Sequence, residues 1–399
     1  MNPWKGLNTL PRNMWTLFFT SLINRVGTMV IPFLTIYLTT REGFSPADAG
    51  LVIAFYGAGA LVTAPLSGKL SDKIGPLLLM KLSLIITGVL FFVYSFINQF
   101  YLILGLTFIL AVINESFRPA NLSIISQIVP PKQRRTAFAL NRLAVNLGMS
   151  IGPIVGGMLA LISFHLIFYV DGITCILAGM FLALSKWQSV EINPEEGEDE
   201  NHLDEIIHSH VLKDKRFIYI LLAILPIPII YFQNLGAYPL FLVNDLGFAT
   251  SIYGLLFAIN TVLIILIEVP LNNSMSKWSE RKSMRLGAIL IGIGFGAMAF
   301  ANGLIFIIIT IVIWTFGEMI FFPVTTSYIS SIAPEKKRGE YMGYYQMTFS
   351  TAFLIGPWLG TLVFEYYGSV ILWTGTFVLS LITILLLLKP DSLNLRGHI

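Results

Sequence analysis

Long apolar runs recur along the whole chain, and each one is long enough to cross a lipid bilayer as a helix. A membrane helix needs about 20 apolar residues to cross about 30 Å of hydrocarbon. Only 12% of the residues are charged, about half the share of an ordinary soluble domain, which excludes a soluble globular protein. The sequence therefore predicts an all-α membrane protein with twelve transmembrane helices, at 13–39, 48–67, 76–97, 100–128, 136–162, 164–186, 216–243, 250–271, 284–301, 304–332, 340–363 and 368–388.

The placement of the basic residues predicts the orientation of these helices. Arg25, Arg118 and Arg142 lie within predicted helices, and only Arg41 falls in a connection on the side away from the termini. All other Lys and Arg residues belong to the termini or to the connections on their side. Because Lys and Arg accumulate in cytoplasmic loops, we expect both termini in the cytoplasm and the chain in the cytoplasmic (inner) membrane.

A hydrophilic stretch, EINPEEGEDENHLDEIIHSH, divides the chain near its middle. His202, His208 and His210 within it raise the alternative of a metal site, but no further ligand cluster accompanies them and the single Cys175 excludes a Cys-based site. We expect a flexible charged linker, no metal and no cofactor. The predicted units are an N-terminal six-helix bundle over 1–187, a cytoplasmic acidic linker over 188–215 and a C-terminal six-helix bundle over 216–399.

The two bundles are related by an internal repeat with an offset of 204 residues. Gly43-Phe44 matches Gly247-Phe248, and Gly152-Pro153 matches Gly356-Pro357. Apolar composition alone does not align Gly, Pro and loop charges at one constant offset. Duplicated bundles of this kind place a cavity between their halves, near the middle of the membrane, and expose it to alternate sides by rocking. The repeat therefore favours a transporter.

The chain resembles the major facilitator superfamily over essentially its full length. The segment GKLSDKIG after the second predicted helix matches the family's G-x-L-x-D-[RK]-x-G loop. In the family this loop acts as a conformational latch, a role that the resemblance gives to Gly68, Asp72, Lys73 and Gly75. Two glycines permit a tight turn there, whereas Pro76 replaces the family's usual basic residue. The corresponding segment of the second half has lost the Asp and both glycines.

The fifth predicted helix carries a second signature of the family. Its G-x-x-x-G-P-x-x-G-G pattern is that of the proton-coupled drug antiporters, which favours export over import, although the same small residues also serve close helix packing in any transporter. Pro153 adds a bend to this helix. The residues that match are Gly148, Gly152, Pro153, Gly156 and Gly157.

Charged residues inside the predicted helices are candidates for proton coupling. A charge at the centre of a membrane helix costs about 2.5–3.5 kcal/mol even on insertion scales. Glu115, Glu318 and Asp171 are the predicted proton-coupling residues, because a carboxyl group in an apolar cavity can hold a proton near neutral pH. Glu115 and Arg118 share a helical face and are expected to pair. Static ion pairs are the structural alternative. We expect Glu268 and Arg142 to face cytoplasmic headgroups or loop charges.

A further set of polar and aromatic residues is predicted to line the substrate cavity. Arg25 and Arg118 can meet an anionic group or a carboxylate, and an aromatic cavity suits hydrophobic substrates. Most of the aromatic residues are instead expected to face lipid or to anchor the interfaces. The predicted cavity residues are Asn24, Arg25, Arg118, Tyr37, Tyr56, Phe117, Tyr231, Phe232, Tyr345 and Trp358.

The sequence thus predicts a monomeric, proton-coupled antiporter that exports hydrophobic small molecules or drugs by alternating access. Its expected partners are the substrate, protons and membrane lipid, with no nucleic acid. The alternatives are a proton symporter, or an exporter of a specific metabolite, siderophore, peptide or lipid. An enzyme is disfavoured because no nucleophile stands with a partnered His, and an ATP-driven pump because no phosphate-binding G-x-x-x-x-G-K-[ST] loop occurs.

Overall fold

The fold is known from a computed structural model, which describes residues 10–187, 211–275, 277–334 and 337–388. The predicted linker lies mostly outside these ranges, as do its three histidines. The N-terminal half contains α1 (Arg12–Val26 and Val30–Thr40), α2 (Pro46–Ile74), α3 (Pro76–Tyr94), α4 (Phe100–Glu115 and Phe117–Ile128), α5 (Pro131–Ile162) and α6 (Phe164–Leu184). The C-terminal half contains α7 (Lys215–Ile224, followed by short segments to Asp245), α8 (Thr250–Ser274), α9 (Glu280–Gly296), α10 (Leu304–Ile332), α11 (338–367) and α12 (369–386).

The count of twelve helices depends on a break at Gly368. The described residues contain 11 apolar helical stretches long enough to cross a membrane, and the last of them, Glu340–Leu386, has 47 residues. Gly368 interrupts this stretch with φ 81° and ψ 169°, a left-handed conformation that glycine adopts without strain. The stretch is therefore two helices, α11 and α12, and the predicted all-α membrane fold in two six-helix repeats is confirmed.

The first helix of each half is broken, although the sequence predicted both as continuous. Helix α1 is interrupted over residues 27–29. Helix α7 changes to a 3₁₀ segment at Phe232–Leu235 and leaves helical geometry at Gly236, where φ is −105° and ψ is −96°. Three prolines within 226–239 remove backbone donors there and disfavour a regular helix. Backbone groups freed by such breaks need other partners inside a membrane protein.

Asp171 of α6 supplies partners at the break in α1. Its Oδ2 accepts hydrogen bonds from the backbone N–H of Met29 at 3.2 Å and of Val30 at 3.0 Å. The side chain is 3% exposed. Because the second segment of α1 begins at Val30, the carboxylate caps its N-terminus, where orphan N–H groups and the helix dipole favour negative charge. Asp171 therefore stabilises the broken helix inside the N-terminal half.

The two halves pack closely at the end of the bundle opposite the termini, called here the far end. A Cβ atom on Gly254 of α8 would overlap the carbonyl oxygen of Pro153 in α5. At the repeat-related place, a Cβ on Gly50 of α2 would lie 3.1 Å from the carbonyl oxygen of Pro357 in α11. Only glycine permits such an approach of two helices. These two contacts form the far-end seam, which lies between the halves and follows the repeat.

Other glycines of the α5 signature pack within the N-terminal half. A Cβ on Gly152 would lie 3.0 Å from the carbonyl oxygens of Val26 and Thr28, beside the break in α1. Gly157 approaches Ser251 of α8 across the seam, at 2.9 Å from a built Cβ to the Ser251 Cα. The signature thus holds α5 against α1 and against α8 at once. The partial copy of the signature on α11 likewise packs on the first helix of its own half, because Gly356 contacts Ile229 of α7.

The segment that resembles the family's latch is helical over most of its length. Helix α2 continues to Ile74, so Gly68, Asp72 and Lys73 lie in its last turns, whereas the sequence predicted a loop there. Only Gly75 makes a turn, with φ 83°. Lys73 is exposed, and the side chain of Asp72 lies outside the described residues.

Candidate functional site

Three adjoining cavities lie on the terminal side of the far-end seam; two of them are lined by residues of both halves, and the third, the basic cavity, by residues of the N-terminal half. The basic cavity has about 520 Å³ and is lined by Arg25, Phe117, Arg118, Asn121, Asn141, Arg142, Asn146 and Met149, among others. The acidic cavity has about 500 Å³ and includes Arg142, Asn146, Glu268, Glu318, Met319 and Phe322 in its wall. The small cavity has about 190 Å³ and is lined by Glu115, Arg118, Leu122, Gln346 and Ser350, with others. The basic and acidic cavities share Arg142 and Asn146 in their walls, and the basic and small cavities share Arg118 and Leu122.

The basic cavity has two arginines without a carboxylate partner. Within the described residues, neither Arg25 nor Arg118 forms an ion pair, so the expected pairing of Arg118 with Glu115 is not formed. Beside them, buried Asn121 donates to the Oδ1 of Asn141 at 2.8 Å, and Ser21 donates to the same oxygen at 3.2 Å. The wall is therefore polar and carries uncompensated positive charge.

The acidic cavity is formed by the C-terminal half together with one arginine from α5. Glu318 of α10 accepts a hydrogen bond from the Nδ2 of Asn260 at 2.8 Å, and Asn260 also donates to Thr315 at 3.0 Å. No ion pair reaches Glu318 from the residues that the structure describes. The hydroxyl group of Tyr231 is a second neutral hydrogen-bond partner of Glu318. A carboxylate held by neutral groups can lose or gain a proton without breaking a salt bridge.

A salt bridge between Arg142 and Glu268 connects the two halves. The sequence predicted that these residues face headgroups or loop charges, and this prediction is wrong. Arg142 of α5 reaches across to α8, because both helices line the acidic cavity at the same depth. The side chain of Glu268 is 9% exposed and that of Arg142 is 60% exposed, so the pair lies at the mouth of the cavity.

Glu115 lines the small cavity and has a neutral partner. Tyr56 of α2 donates to its Oε1 at 2.8 Å, and Asn114 donates to the Tyr56 hydroxyl oxygen at 2.7 Å. The Tyr56 ring packs against Phe353 of α11 with centroids 5.5 Å apart. Tyr56 therefore lies between the halves, close to the predicted cavity, with its hydroxyl committed to Glu115.

Eight of the predicted proton-coupling and substrate-cavity residues do not line any of the three cavities, among them Asn24, Tyr37, Asp171 and Trp358. Asn24 is buried and donates to the sulfur of Cys175 at 3.4 Å, and Tyr37 donates to Glu42 at 2.7 Å. Asp171 caps α1, as described above. Trp358 is 40% exposed on α11. Asn24, Tyr37 and Asp171 are thus committed to hydrogen bonds, and helical spacing alone did not reveal which way these four side chains point.

The remaining predicted aromatic residues surround the cavities. Phe117 lines the basic cavity directly. Tyr231 packs edge-on against Phe322 of the acidic cavity, with centroids 5.3 Å apart. Phe232 stacks on Phe353 at 4.6 Å. The hydroxyl group of Tyr345 lies 3.3 Å from that of Thr326, which also lines the acidic cavity.

Asparagines of the cavity walls were missed by the sequence analysis. Asn121, Asn141, Asn146 and Asn260 carry no formal charge, so the search for ionisable residues passed over them. Their signal was present, because an amide inside a membrane helix needs a hydrogen-bond partner and therefore faces the bundle interior.

A two-fold repeated helical bundle with charged cavities between its halves defines a membrane transporter rather than an enzyme. The sequence model of the Major Facilitator Superfamily matches residues 17–267 and 231–391. The chain belongs to this superfamily. It is a multi-pass membrane protein that acts on small-molecule substrates.

Several relatives share the whole length of the chain. The uncharacterized MFS-type transporter YqjV of Bacillus subtilis is 25% identical over 92% of this chain and 90% of its own. The Na(+), Li(+), K(+)/H(+) antiporter of Planococcus maritimus is 23% identical over 82% and 84%. The multidrug resistance protein MdtH of Aeromonas salmonicida is 22% identical over 89% and 88%.

A solved structure shares the fold. The nucleoside transporter NupG superposes with a TM-score of 0.78 over 95% of this chain and 100% of its own, at 14% identity. At this identity the likeness concerns the fold alone.

Proposed function

We propose that the protein is a proton-coupled antiporter that exports hydrophobic small molecules or drugs by alternating access. The observation that carries the proposal is Glu318, a membrane-embedded carboxyl group that lines the acidic cavity and whose described side-chain hydrogen-bond partners, the Asn260 amide and the Tyr231 hydroxyl, are both neutral. A group in this place can exchange a proton with the cavity, and a protonated Glu318 no longer attracts a cationic substrate. Glu115, with its neutral Tyr56 partner, is the second candidate carrier.

The arrangement of seam and cavities supports alternating access. The far-end seam closes the space between the halves on one side, and the cavities lie on the other. With both termini in the cytoplasm, as the basic residues predict, the structure corresponds to a state open toward the cytoplasm. An exporter takes up its substrate in this state. The names of two relatives, a cation/proton antiporter and a multidrug resistance protein, agree with proton-coupled export.

We assign the chain to the inner membrane as a monomer, with residues 1–187 and 216–399 as the moving halves and 188–215 as their cytoplasmic linker. The end of α2, with Gly68, Asp72, Lys73 and Gly75, is proposed to act as the conformational latch. Its position between α2 and α3 places it at the terminal end, where the halves separate in this state.

The test uses purified protein in liposomes with an imposed pH gradient. A panel of fluorescent hydrophobic compounds is followed across the membrane while internal pH is recorded. We expect gradient-driven movement of the compound with an opposite movement of protons. In Glu318→Gln, gradient-driven transport is lost while exchange of labelled for unlabelled compound continues. Asp245→Asn, which removes an exposed carboxylate, is the matched control and transports normally.

Two results contradict the proposal. Substrate movement that is indifferent to the gradient in the wild-type protein excludes proton coupling. Full active transport by the Glu318→Gln variant moves the proton to another group, and Glu115→Gln then identifies or excludes the second carboxyl.

A further inference from the structure

Ionisable side chains of the basic and acidic cavities are segregated by half. The N-terminal half contributes Arg25, Arg118 and Arg142, whereas the C-terminal half contributes Glu268 and Glu318. Arg142 and Glu268 neutralise each other in their salt bridge. What remains is a positive pole of two arginines on one side and the negative pole of Glu318 on the other. Glu115 balances part of the charge of the positive pole from the small cavity.

The positive pole has unused hydrogen-bonding capacity. The Nε of Arg25, a donor, is buried without a hydrogen-bond partner within the described residues. The Oδ1 of Asn121 is also buried and unpartnered, but it is an acceptor and could meet only a donor group of a ligand. Both residues belong to the wall of the basic cavity. Buried polar groups are normally satisfied, and a guanidinium group is well matched to a carboxylate or phosphate oxygen. The wall is therefore built to receive an anionic group from a ligand.

The negative pole offers the complementary site within reach of the same molecule. The acidic and basic cavities share Arg142 and Asn146 in their walls, so they adjoin. Their volumes, about 500 and 520 Å³, fall in the range of small-molecule sites. Apolar side chains lie between the poles, with Phe117 and Met149 on one side and Met319 and Phe322 on the other. One amphiphilic molecule can therefore place an apolar body between two charged ends.

We propose that the substrate is a zwitterionic amphiphile whose acidic group binds at Arg25 and Arg118 and whose basic group binds at Glu318. When ionised, the charged side chains of the three cavity walls carry three positive charges and three negative charges, from Arg25, Arg118, Arg142, Glu115, Glu268 and Glu318. A zwitterion has no net charge and leaves this balance unchanged. A zwitterion also brings a counter-charge to each pole, which an uncharged molecule does not, whereas a hydrophobic cation brings none to the two arginines and an anion brings none to Glu318. The inference rests on the proposed transport function but concerns recognition rather than energy coupling.

The test is a binding measurement with four matched probes. The parent probe is a fluorescent quinolone carboxylic acid bearing a piperazine, which is a zwitterion. Its methyl ester is a cation, and its N-acetyl derivative is an anion. The compound that is both esterified and acetylated is neutral, and all four share one apolar body. Binding to the full-length protein in nanodiscs is measured at one pH, without a gradient. We expect the zwitterion to bind at least about tenfold more tightly than each of the other three probes.

Variants then separate the two poles. Arg118→Gln and Arg25→Gln weaken binding of the zwitterion to the level of the methyl ester and do not weaken binding of the ester, which also shows that the variants are folded. Glu318→Gln weakens binding of the zwitterion and of the ester but does not weaken binding of the N-acetyl acid. Arg41→Gln removes an exposed arginine at the far end and changes nothing.

The proposal is overturned if the methyl ester binds the wild-type protein as tightly as the zwitterion does. It is also overturned if Arg118→Gln weakens binding of the zwitterion and binding of the ester equally. Failure of the zwitterion to bind at millimolar concentration overturns it as well. Because no gradient is used, these results are independent of proton coupling. Selective binding without gradient-driven transport contradicts the proposed function alone, whereas gradient-driven transport of the ester with no preference for the zwitterion contradicts this inference alone.

Discussion

The two halves of the molecule share their packing contacts but differ in the charges that they turn toward the cavities. The repeat relates two packing contacts, that of Gly50 with Pro357 and that of Gly254 with Pro153. In the basic and acidic cavities, by contrast, the N-terminal half provides arginines and the C-terminal half provides carboxylates. The contacts that bring the halves together have thus kept the symmetry of the duplication, whereas the charged residues of these two cavities have lost it.

The breaks in α1 and α7 show a similar divergence. In the N-terminal half, Asp171 holds the break through two backbone N–H groups. The position related to Asp171 by the repeat is Gly375, and no atom lies within 4 Å of a Cβ built there. In the C-terminal half, Gln233 instead donates to the carbonyl oxygen of Gly356 at 2.7 Å. Each half therefore stabilises its broken helix with a different side chain.

The largest effect is expected from a methyl group in the far-end seam. Gly254→Ala places a Cβ on the Pro153 carbonyl oxygen and prevents the far end from closing, so transport falls by about 100-fold or more. Gly50→Ala has the related but milder effect. Gly105→Ala is the control, because nothing lies within 4 Å of its Cβ.

Transport in proteoliposomes and maleimide labelling of Ser251→Cys, in a Cys175→Ala background, measure the outcome. Labelling rises in Gly254→Ala if the seam has opened. Wild-type transport by this variant would show that the halves need not approach so closely.

A charge reversal at the mouth of the cavity has the next largest effect. Arg142→Glu puts a third carboxylate beside Glu268 and Glu318, and transport falls by about tenfold with a loss of about 1–2 kcal/mol in stability, since the pair is partly exposed. Glu268→Arg in the same chain restores an ion pair. A double-mutant cycle on thermal unfolding and transport tests this. A double variant no better than the single ones would mean that the pair has no role in joining the halves.

Lowering the pH should weaken probe binding at the two poles to different extents. Lowering the pH protonates Glu318, so the methyl ester binds less tightly, by at most about tenfold per pH unit, whereas binding of the N-acetyl acid does not weaken over the pH range in which its own carboxyl group stays ionised. In Glu318→Gln the pH dependence of ester binding disappears. Titration of probe fluorescence between acidic and neutral pH measures both. Equal pH dependence for the cation and the anion would contradict the assignment of the poles.

Loss of the α1 cap has a moderate effect. Asp171→Ala removes two hydrogen bonds to a carboxylate and destabilises the protein by about 2–4 kcal/mol. Asp171→Asn retains one acceptor and loses less. Whatever transport remains stays coupled to the pH gradient. Thermal unfolding and gradient-driven transport are compared in both variants, and uncoupled transport in a stable Asp171→Asn protein would make this residue a proton carrier.

The smallest effect is expected at Tyr56. Tyr56→Phe removes the hydroxyl that donates to Glu115 and costs about 1 kcal/mol. The ring contact with Phe353 is retained. Thermal unfolding of this variant and of Glu115→Gln shows whether the two side chains act together, because their effects are then not additive.

The fold could be predicted from the sequence because hydrocarbon thickness sets helix length and the repeat sets the architecture. Sequence periodicity did not reveal the breaks in α1 and α7, since apolar composition continues through both. The end of α2 was assigned to a loop on account of its glycines, yet Gly68 is accommodated within a helix. Local composition determines where a helix can form, whereas tertiary partners such as Asp171 determine where it is interrupted.

The candidate site was predictable in its charges but not in their partners. Arg25, Arg118, Glu115 and Glu318 line cavities, as their cost in a membrane indicated. The link between Arg142 and Glu268 joins residues from different halves, and no local spacing encodes such a contact. Helical spacing placed Glu115 beside Arg118, but Tyr56 of another helix competes successfully for that carboxylate.

The glycine and proline contacts of the far end have one more consequence. Among the described residues no salt bridge crosses the far end, where Glu365 of α11 accepts a hydrogen bond from the backbone N–H of Ala47 and Phe33 packs on Tyr253. Opening the far end therefore breaks one hydrogen bond to a carboxylate and exposes two aromatic rings. The contacts that close the far end are thus separate from the cavity walls proposed to bind the substrate. Mutations in the cavity walls can redirect such a protein to new compounds while its gate continues to work unchanged.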